Sequence, residues 1–563
     1  MKRILECVPN FSEGNNMHII KQITNEVEAV EGIRLLDVDP GKATNRTVVT
    51  FVGEPEAVCE AAFRAVKKAA ELIDMSKHKG EHPRFGATDV CPLVPVSGIT
   101  MEEAVEFARK LSKRIGDELG IPVYNYEFAA SEPKRRNLAS CRAGEYEGLP
   151  KKLVDADWKP DFGPAEFNAV VAKTGAIAVS ARNFLVAYNV NLNTTSTRWA
   201  NAIAFDIREK GRVKREGDSL TGKIITDENG NPVFEPGLLK CVKGIGWFIE
   251  EFGIAQLSFN LTDITVTSMH EVFEAACQRA EARGLRVTGS ELVGMIPLNS
   301  ILDAGKYFLK KQRRSAGISD DEIIKIAVKS LGLDELKPFD PKEKIIEYVL
   351  EGDEKKLIDL TLKQFSEETA AESPAPGGGS IAAYMGAMGA ALGTMVANLS
   401  AHKRGWDNRW EEFSNWAEKG KYYHDQLIKL VDEDTRAFNA IMDAFGLPKT
   451  FDEEKAARRH AIDVATKQAI KVPFKVMQLC FGSMEVMKAM AEYGNPNSVT
   501  DAGVGALAAR AGVQGAFLNV KINAQSYSDK TFIAEILAKG KEIEAAAIAL
   551  EREIMDVVNS KIG

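Results

Sequence analysis

Seven histidines serve 563 residues, and two of them, His78 and His82, stand four apart in the stretch 76–89, Ser-Lys-His-Lys-Gly-Glu-His-Pro-Arg-Phe-Gly-Ala-Thr-Asp. Imidazole gives and takes protons near neutral pH without help, so a histidine among cations, a carboxylate and small residues is suited to general acid–base work. The stretch falls between a helical pattern and a strand pattern, and loops held by rigid elements are where function concentrates. The competing reading is that both histidines merely cap or pack a surface loop. A second candidate is Asp434, which falls within the apolar helical series Leu427, Val431, Phe438, Ile441 and Phe445. An acid on such a face costs several kcal/mol unless it is paired or neutral. A raised pKa is what a proton shuttle needs. The alternative for Asp434 is a buried ion pair with a Lys or Arg of another helix.

His78-Lys-Gly-Glu81-His82 also matches the H-x-x-E-H pattern of inverted zinc peptidases, which place both histidines on one helical face. Gly80 costs a helix interior about 1 kcal/mol, and Pro83 drives His82 out of helical backbone space. A metal site here is expected to lack its helix. Gly377-Gly-Gly-Ser380 precedes a helical pattern, so its backbone N–H groups suit either an anion or a simple N-cap. Asp37-Val-Asp39 ends a strand pattern before Thr44-Asn-Arg46; Asp39 is placed either to orient an imidazole or to cap the loop. Residues 162–172 join two patterned regions, where pockets are favoured.

The net charge of -8 and a pI near 5.7 give no basic footprint for nucleic acid, which leaves small molecules or proteins as partners. The seven cysteines are widely spaced, with no C-x-x-C, which suits a reducing cytoplasm better than a disulfide framework. The N-terminus reaches an acid before any long apolar run, so no secretory signal is expected. Between Glu372 and Lys403 there is no Asp, Glu, Lys or Arg, a length able to span a bilayer. Its large apolar residues recur at three and four among Ala, Gly and Ser, which predicts a buried helix instead of a membrane span. Gly389-x-x-x-Gly393 then permits close approach of a second helix.

The elements that must hold these residues follow from periodicity. The first half reads β-α-β-β-α-β with an added helix and strand, Thr100-x-x-Glu103 forming a capping box. Residues 89–96, proline-bearing, read as an edge strand. The same order returns from Phe184 to Val293. The expected fold is two α+β half-domains, each a split β-α-β of ferredoxin-like type with helices on one face of a largely antiparallel sheet, followed by an all-α bundle. The expected boundaries are 1–178, 179–330, a partly helical linker 331–372, and 373–563.

Taken together, several motifs are familiar. Cys7-Val-Pro-Asn-Phe-Ser-Glu-Gly14, Asp37-Val-Asp39, Thr44-Asn-Arg-Thr47, Gly80-Glu-His-Pro-Arg84, Gly86-Ala-Thr-Asp89 and Pro160-Asp-Phe-Gly-Pro164 resemble glutamate formimidoyltransferases. Pro374-Ala-Pro-Gly-Gly-Gly-Ser380, Asp434-Thr-Arg-Ala-Phe438, Ser498-Val-Thr-Asp501 and Phe517-Leu-Asn519 resemble formimidoyltetrahydrofolate cyclodeaminases. Their order is that of the fused bifunctional family. The resemblance implies formimino transfer from N-formimino-L-glutamate to N5 of tetrahydrofolate, late in histidine degradation, then cyclisation to 5,10-methenyltetrahydrofolate with loss of ammonia. It places the transferase histidine on His82 and the cyclodeaminase acid on Asp434. It places the folate-contacting segment on Gly163, Pro164, Ala165, Glu166, Phe167, Asn168, Ala169, Val170, Val171 and Ala172. Tetrahydrofolate is then a co-substrate, no metal, nicotinamide or flavin is expected, and a cytoplasmic homo-oligomer without nucleic-acid or membrane partners is implied. A folate-binding oligomeric scaffold without turnover is the non-enzymatic alternative.

Overall fold

The computed structural model describes residues 3–41, 45–79, 84–217, 221–351, 356–373 and 375–563. They form two compact units, one of 1–297 with 343–350 and one of 298–342 with 351–563.

In the first unit a seven-stranded sheet runs in the order Arg34–Gly41, Arg46–Gly53, then Ile4–Cys7 with Asn10–Phe11, then Thr88–Ser97, Ile177–Ala181 and Val123–Glu127. The first five strands pair antiparallel; the last two add on in parallel. Helices Met17–Glu28, Pro55–Leu72 and Met101–Leu119 bury their apolar stripes on Leu5, Cys7, Phe51, Cys91 and Leu93. The box predicted at Thr100 forms, with Glu103 Oε2 accepting from the Thr100 N–H at 2.9 Å. Three expectations need correction. Thr88–Ser97 is an interior strand: its Pro92 is tolerated because the neighbouring strand is itself interrupted at Val8-Pro9, where Val8 N donates to Pro92 O at 3.3 Å. The first sheet extends to Ala181, past the division expected at 178. Helices also cover both faces of its parallel end, because Tyr124, Tyr126, Val90 and Ala178 present an apolar back to Cys141, Leu149, Leu153 and Val171.

A second sheet in the same unit has the order Val242–Ile249, Ile254–Leu261, Val186–Leu192, Val287–Val293, all antiparallel. Helices Thr197–Ile207 and Met269–Glu281 accompany it. The strand order matches that of the first four elements of the larger sheet.

The second unit is helical. Its central helix, Gly378–Ala401, is the charge-free stretch, long and apolar enough to cross a membrane by composition alone. Over half of its apolar window is buried inside the unit, against Trp410–Gly446, Asp452–Tyr493 and Val499–Ala524. A Cβ at Gly386 would lie 2.2 Å from Cys480 Sγ, and one at Gly389 2.7 Å from Gly505 O, so glycine sets how closely these helices approach. Helices Leu298–Lys311 and Asp320–Leu331 also belong to this unit, not to the preceding half-domain. Ala316 N donates to Ser414 Oγ at 3.2 Å, Asn398 Nδ2 to Gly317 O at 2.7 Å, and Ser315 N to His402 Nε2 at 3.2 Å. Residues 343–350 then return to the first unit, where Ile296 pairs with Ile345 and Ile346 N donates to Ile296 O at 3.1 Å.

A fragment starting at 335 therefore strands several polar groups that 315–317 satisfy. Leaving them unpaired costs about 1–3 kcal/mol each. It should melt on the order of 5 °C or more below a fragment starting at 298. Equal melting in parallel thermal scans would show that the two helices add nothing to the bundle.

Candidate active site

His82 lies outside the described residues, together with Gly80, Glu81 and Pro83. The backbone before it leaves the helix Pro55–Leu72 and turns at 75–77, so His78 is not on a helix. Its Nε2 lies 2.9 Å from Asn45 O, an acceptor, so that nitrogen carries the proton. The helix that an H-x-x-E-H zinc site requires has already ended. Among the described residues no three His, Cys, Asp or Glu converge on a possible metal position.

Asn45 holds this region together from a left-handed backbone, with φ of 47°. Its Oδ1 accepts from Gly14 N at 3.0 Å and Asn15 Nδ2 at 2.9 Å, while its Nδ2 donates to Lys79 O at 2.8 Å. Nearby, Asp89 is buried and paired to Arg142 at 3.0 Å. Burial pushes its carboxyl up to about 6, outweighing Arg142 and Arg46, which pull the other way. Asp39 stands exposed on the strand Arg34–Gly41, in register with Val48.

The segment 163–172 crosses the same end of the sheet. Gly163 has φ of 82°, and a Cβ there would meet Ile121 O at 2.3 Å, so glycine alone fits this turn. Pro164, Ala165 and Glu166 follow on the surface. Phe167 packs edge-on against Tyr146 with ring centres 6.1 Å apart. Asn168 caps the short helix Ala169–Thr174, accepting from Val171 N at 3.0 Å. Val170 faces solvent, Val171 is buried, and Ala172 O accepts from Tyr146 OH at 2.6 Å. In the second sheet a polar run, buried at Gln256 and Asn191, crosses three strands: Trp247 Nε1 donates to Gln256 Oε1 at 3.2 Å, and Gln256 Nε2 to Asn191 Oδ1 at 2.8 Å.

In the helical unit, Asp434 is half-buried at the N-terminal end of the helix Gly378–Ala401. Its Oδ2 accepts from Ser380 Oγ at 3.2 Å, and the Ser380 backbone N–H also bonds to the carboxyl. A Cβ at Gly379 would lie 2.2 Å from Asp434 Oδ1, so the glycines admit the carboxyl to the helix end. The helix end at Gly377–Ser380, open on sequence to an anion or a simple N-cap, thus receives a carboxyl of the chain itself. Burial raises the Asp434 pKa, and the Ser380 bonds only partly offset it. Among the described residues no Lys or Arg acts on the Asp434 carboxyl, whose partner is Ser380. The stripe used to place it holds at Leu427, Val431 and Ile441, which packs against the core, but not at its two phenylalanines. Phe438 and Phe445 turn outward, and Ala437 and Ala444 are the buried residues, small side chains taking the closest approach.

A cavity of about 930 Å³ in this unit is lined by Asp320, Met395, Asn398, His402, Lys421 and His424 and does not include Asp434. A smaller one of about 200 Å³, lined by Phe365, Tyr384 and Val431, is nearer, since Ser380 Oγ donates to Val431 O at 2.8 Å. Hydrogen bonding and charge, not cavity size, single out Asp434.

Residues 4–182 match the family described as "Formiminotransferase domain, N-terminal subdomain", 187–351 "Formiminotransferase domain" and 361–542 "Formiminotransferase-cyclodeaminase". The mouse (Mus musculus) formimidoyltransferase-cyclodeaminase is 44% identical over 94% of each chain. The chain belongs to the formimidoyltransferase-cyclodeaminase family. A glutamate formimidoyltransferase of Streptococcus pyogenes is 40% identical over 55% of this chain and 94% of its own length. A methenyltetrahydrofolate cyclohydrolase of Methylorubrum extorquens is 40% identical over 36% of this chain and 97% of its own length.

Sequence reasoning gave Asn45, Arg84 and Asp89 no role of their own and passed over Tyr146 and Glu6. Glu6 is buried on the strand Ile4–Cys7, and burial pushes its carboxyl up to about 7, with Arg182 only partly offsetting it. Such a group stabilises the fold fully below its unfolded pKa, and that contribution is lost as pH rises through about 7. The loss is on the order of 3 kcal/mol. Glu6→Gln should flatten the fall in stability between pH 5 and pH 8 seen by urea denaturation. An unchanged slope would mean that Glu6 does not titrate there.

Proposed function

We propose that this protein transfers the formimino group of N-formimino-L-glutamate to N5 of tetrahydrofolate, then cyclises 5-formimidoyltetrahydrofolate to 5,10-methenyltetrahydrofolate with release of ammonia. Family membership over nearly the whole chain supports the pair of reactions. The observation that carries the second is the Asp434 carboxyl, held at a helix end by Ser380 with its pKa raised by burial and with no cation beside it among the described residues.

In the transfer, N5 attacks the formimino carbon and loses its proton, while the bond to the glutamate nitrogen breaks and that nitrogen gains one. One histidine can act first as base and then as acid. The resemblance assigns this to His82 and the folate contacts to 163–172, and Asp39, near the end of its strand, is taken as the orienting carboxylate. In the cyclisation N10 attacks the same carbon and gives up a proton, and the former imino nitrogen leaves as ammonia. Asp434 takes the first proton and delivers the second. The carbon stays at the formate oxidation level throughout, so tetrahydrofolate serves as co-substrate and neither step needs a redox partner.

The two sheet-bearing halves are read here as ferredoxin-like, a reading supported by their common strand order. A cytoplasmic homo-oligomer belongs to the same proposal. Seven free thiols support the compartment, and outward apolar side chains such as Phe445 and Leu518 support self-association. The test is incubation with formiminoglutamate and tetrahydrofolate, following glutamate, ammonia and methenyl-folate absorbance. Folate binding without turnover would favour the scaffold reading.

A further inference from the structure

An arginine two positions after the proposed catalytic histidine invites the reading that it binds a substrate carboxylate. The surroundings of Arg84 point elsewhere. Its Nη1 donates to Met75 O at 3.1 Å and also to His78 O; its Nε donates to Glu147 Oε1 at 3.1 Å, an oxygen that Nη2 shares. A guanidinium has five N–H groups, and four are committed to these partners. The side chain is only one-fifth exposed, and its planar head lies over the Tyr146 ring at 5.1 Å.

Tyr146 carries the connection onward. Its backbone N–H donates to Arg84 O at 2.8 Å, its hydroxyl donates to Ala172 O at 2.6 Å, and its ring meets the edge of Phe167. The circuit closes on the other side, where Met75 N donates to Lys173 O at 2.8 Å. The turn 74–79, Arg84, Tyr146 and the end of the segment 163–172 therefore form one ring of mutually held groups. Moving any member shifts the two segments against each other.

We infer that Arg84 and Tyr146 are positioning residues that fix the distance between the stretch carrying the transferase histidine and the segment 163–172. The inference rests on the proposed assignment of the transfer reaction to this region. In this role both act through the segments they hold, the turn 74–79 and the end of 163–172. A misplacement of about 1 Å at a reacting centre can cost on the order of 100-fold in rate.

The test uses the full-length protein, with cyclisation of supplied 5-formimidoyltetrahydrofolate as the internal control of folding. Arg84→Lys keeps the charge but cannot make the fork, and should lower transferase kcat about 10- to 100-fold with little change in KM for formiminoglutamate. A large rise in that KM with kcat intact would instead make Arg84 a substrate ligand and overturn the inference. Tyr146→Phe keeps the ring beneath Arg84 and removes the bond to Ala172 O. It should raise KM for tetrahydrofolate several-fold; an unchanged KM would break the proposed coupling. Amide hydrogen exchange separates this from failure of the functional reading. Both substitutions should speed exchange in 74–79 and in 163–173 together, whether or not the wild type turns over. Acceleration confined to one of the two segments would overturn the ring.

Discussion

Asp434→Asn is expected to abolish most ammonia release, by about 10²- to 10⁴-fold, while the protein remains folded and still makes 5-formimidoyltetrahydrofolate. Asparagine keeps the size of the side chain and can still accept from Ser380, but it carries no exchangeable acid proton at this pH. The stability response tells catalysis from architecture. The Asp434 pKa in the folded protein lies above its ordinary 3.8, because burial outweighs the two bonds from Ser380. Its contribution to stability is complete below the unfolded pKa and is lost as pH rises through the folded value. Asparagine does not suffer that loss, so the variant should gain on the wild type as pH is raised above 4 and melt no lower at neutrality. Gly379→Ala offers an independent approach, since its Cβ would stand 2.2 Å from Asp434 Oδ1 and must displace the carboxyl. It should depress ammonia release with Asp434 intact. If Asp434→Asn unfolds readily while its folded fraction releases ammonia at the normal rate, the carboxyl is architectural.

His82→Ala should remove formimino transfer by about 10²- to 10⁴-fold and leave cyclisation of supplied 5-formimidoyltetrahydrofolate unchanged. His78→Ala is the informative comparison. The His78 Nε2 is engaged with Asn45 O at 2.9 Å, and losing one such bond is worth about 1 kcal/mol, a several-fold effect at most. Measuring glutamate release and ammonia release on each preparation distinguishes the cases. Comparable losses in the two variants would remove the distinction between a catalytic and a supporting histidine.

What the sequence made legible was local. Thr100-x-x-Glu103 announces its own helix because the box satisfies N–H groups three residues away. The long bundle helices announce themselves through apolar periodicity, and Asp434 through its interruption of one. What it hid depends on residues far apart in the chain. Nothing near Tyr146 signals that its hydroxyl will reach Ala172 or that its ring will lie under Arg84. Asp89 sits among small residues in a recognisable motif, yet its burial beside Arg142 follows only from the packing of the helix Leu138–Arg142. Thr88–Ser97 was misjudged for a related reason. Its prolines argue for an edge, and the break at Val8-Pro9 that accommodates Pro92 belongs to another strand.

The path of the chain between its two units also bears on inheritance. It leaves the first unit at 297, serves the second to 342, returns for 343–350 and leaves again. A single crossover in the coding sequence therefore cannot exchange one unit intact for a homologous one. A recombinant joined at 297 takes its 343–350 from the wrong parent, and one joined at 351 takes 298–342 from the wrong parent. Either descendant must reconcile a foreign piece inside one of its cores, so these two enzymes are expected to be inherited together more faithfully than a fusion of two beads on a string would be.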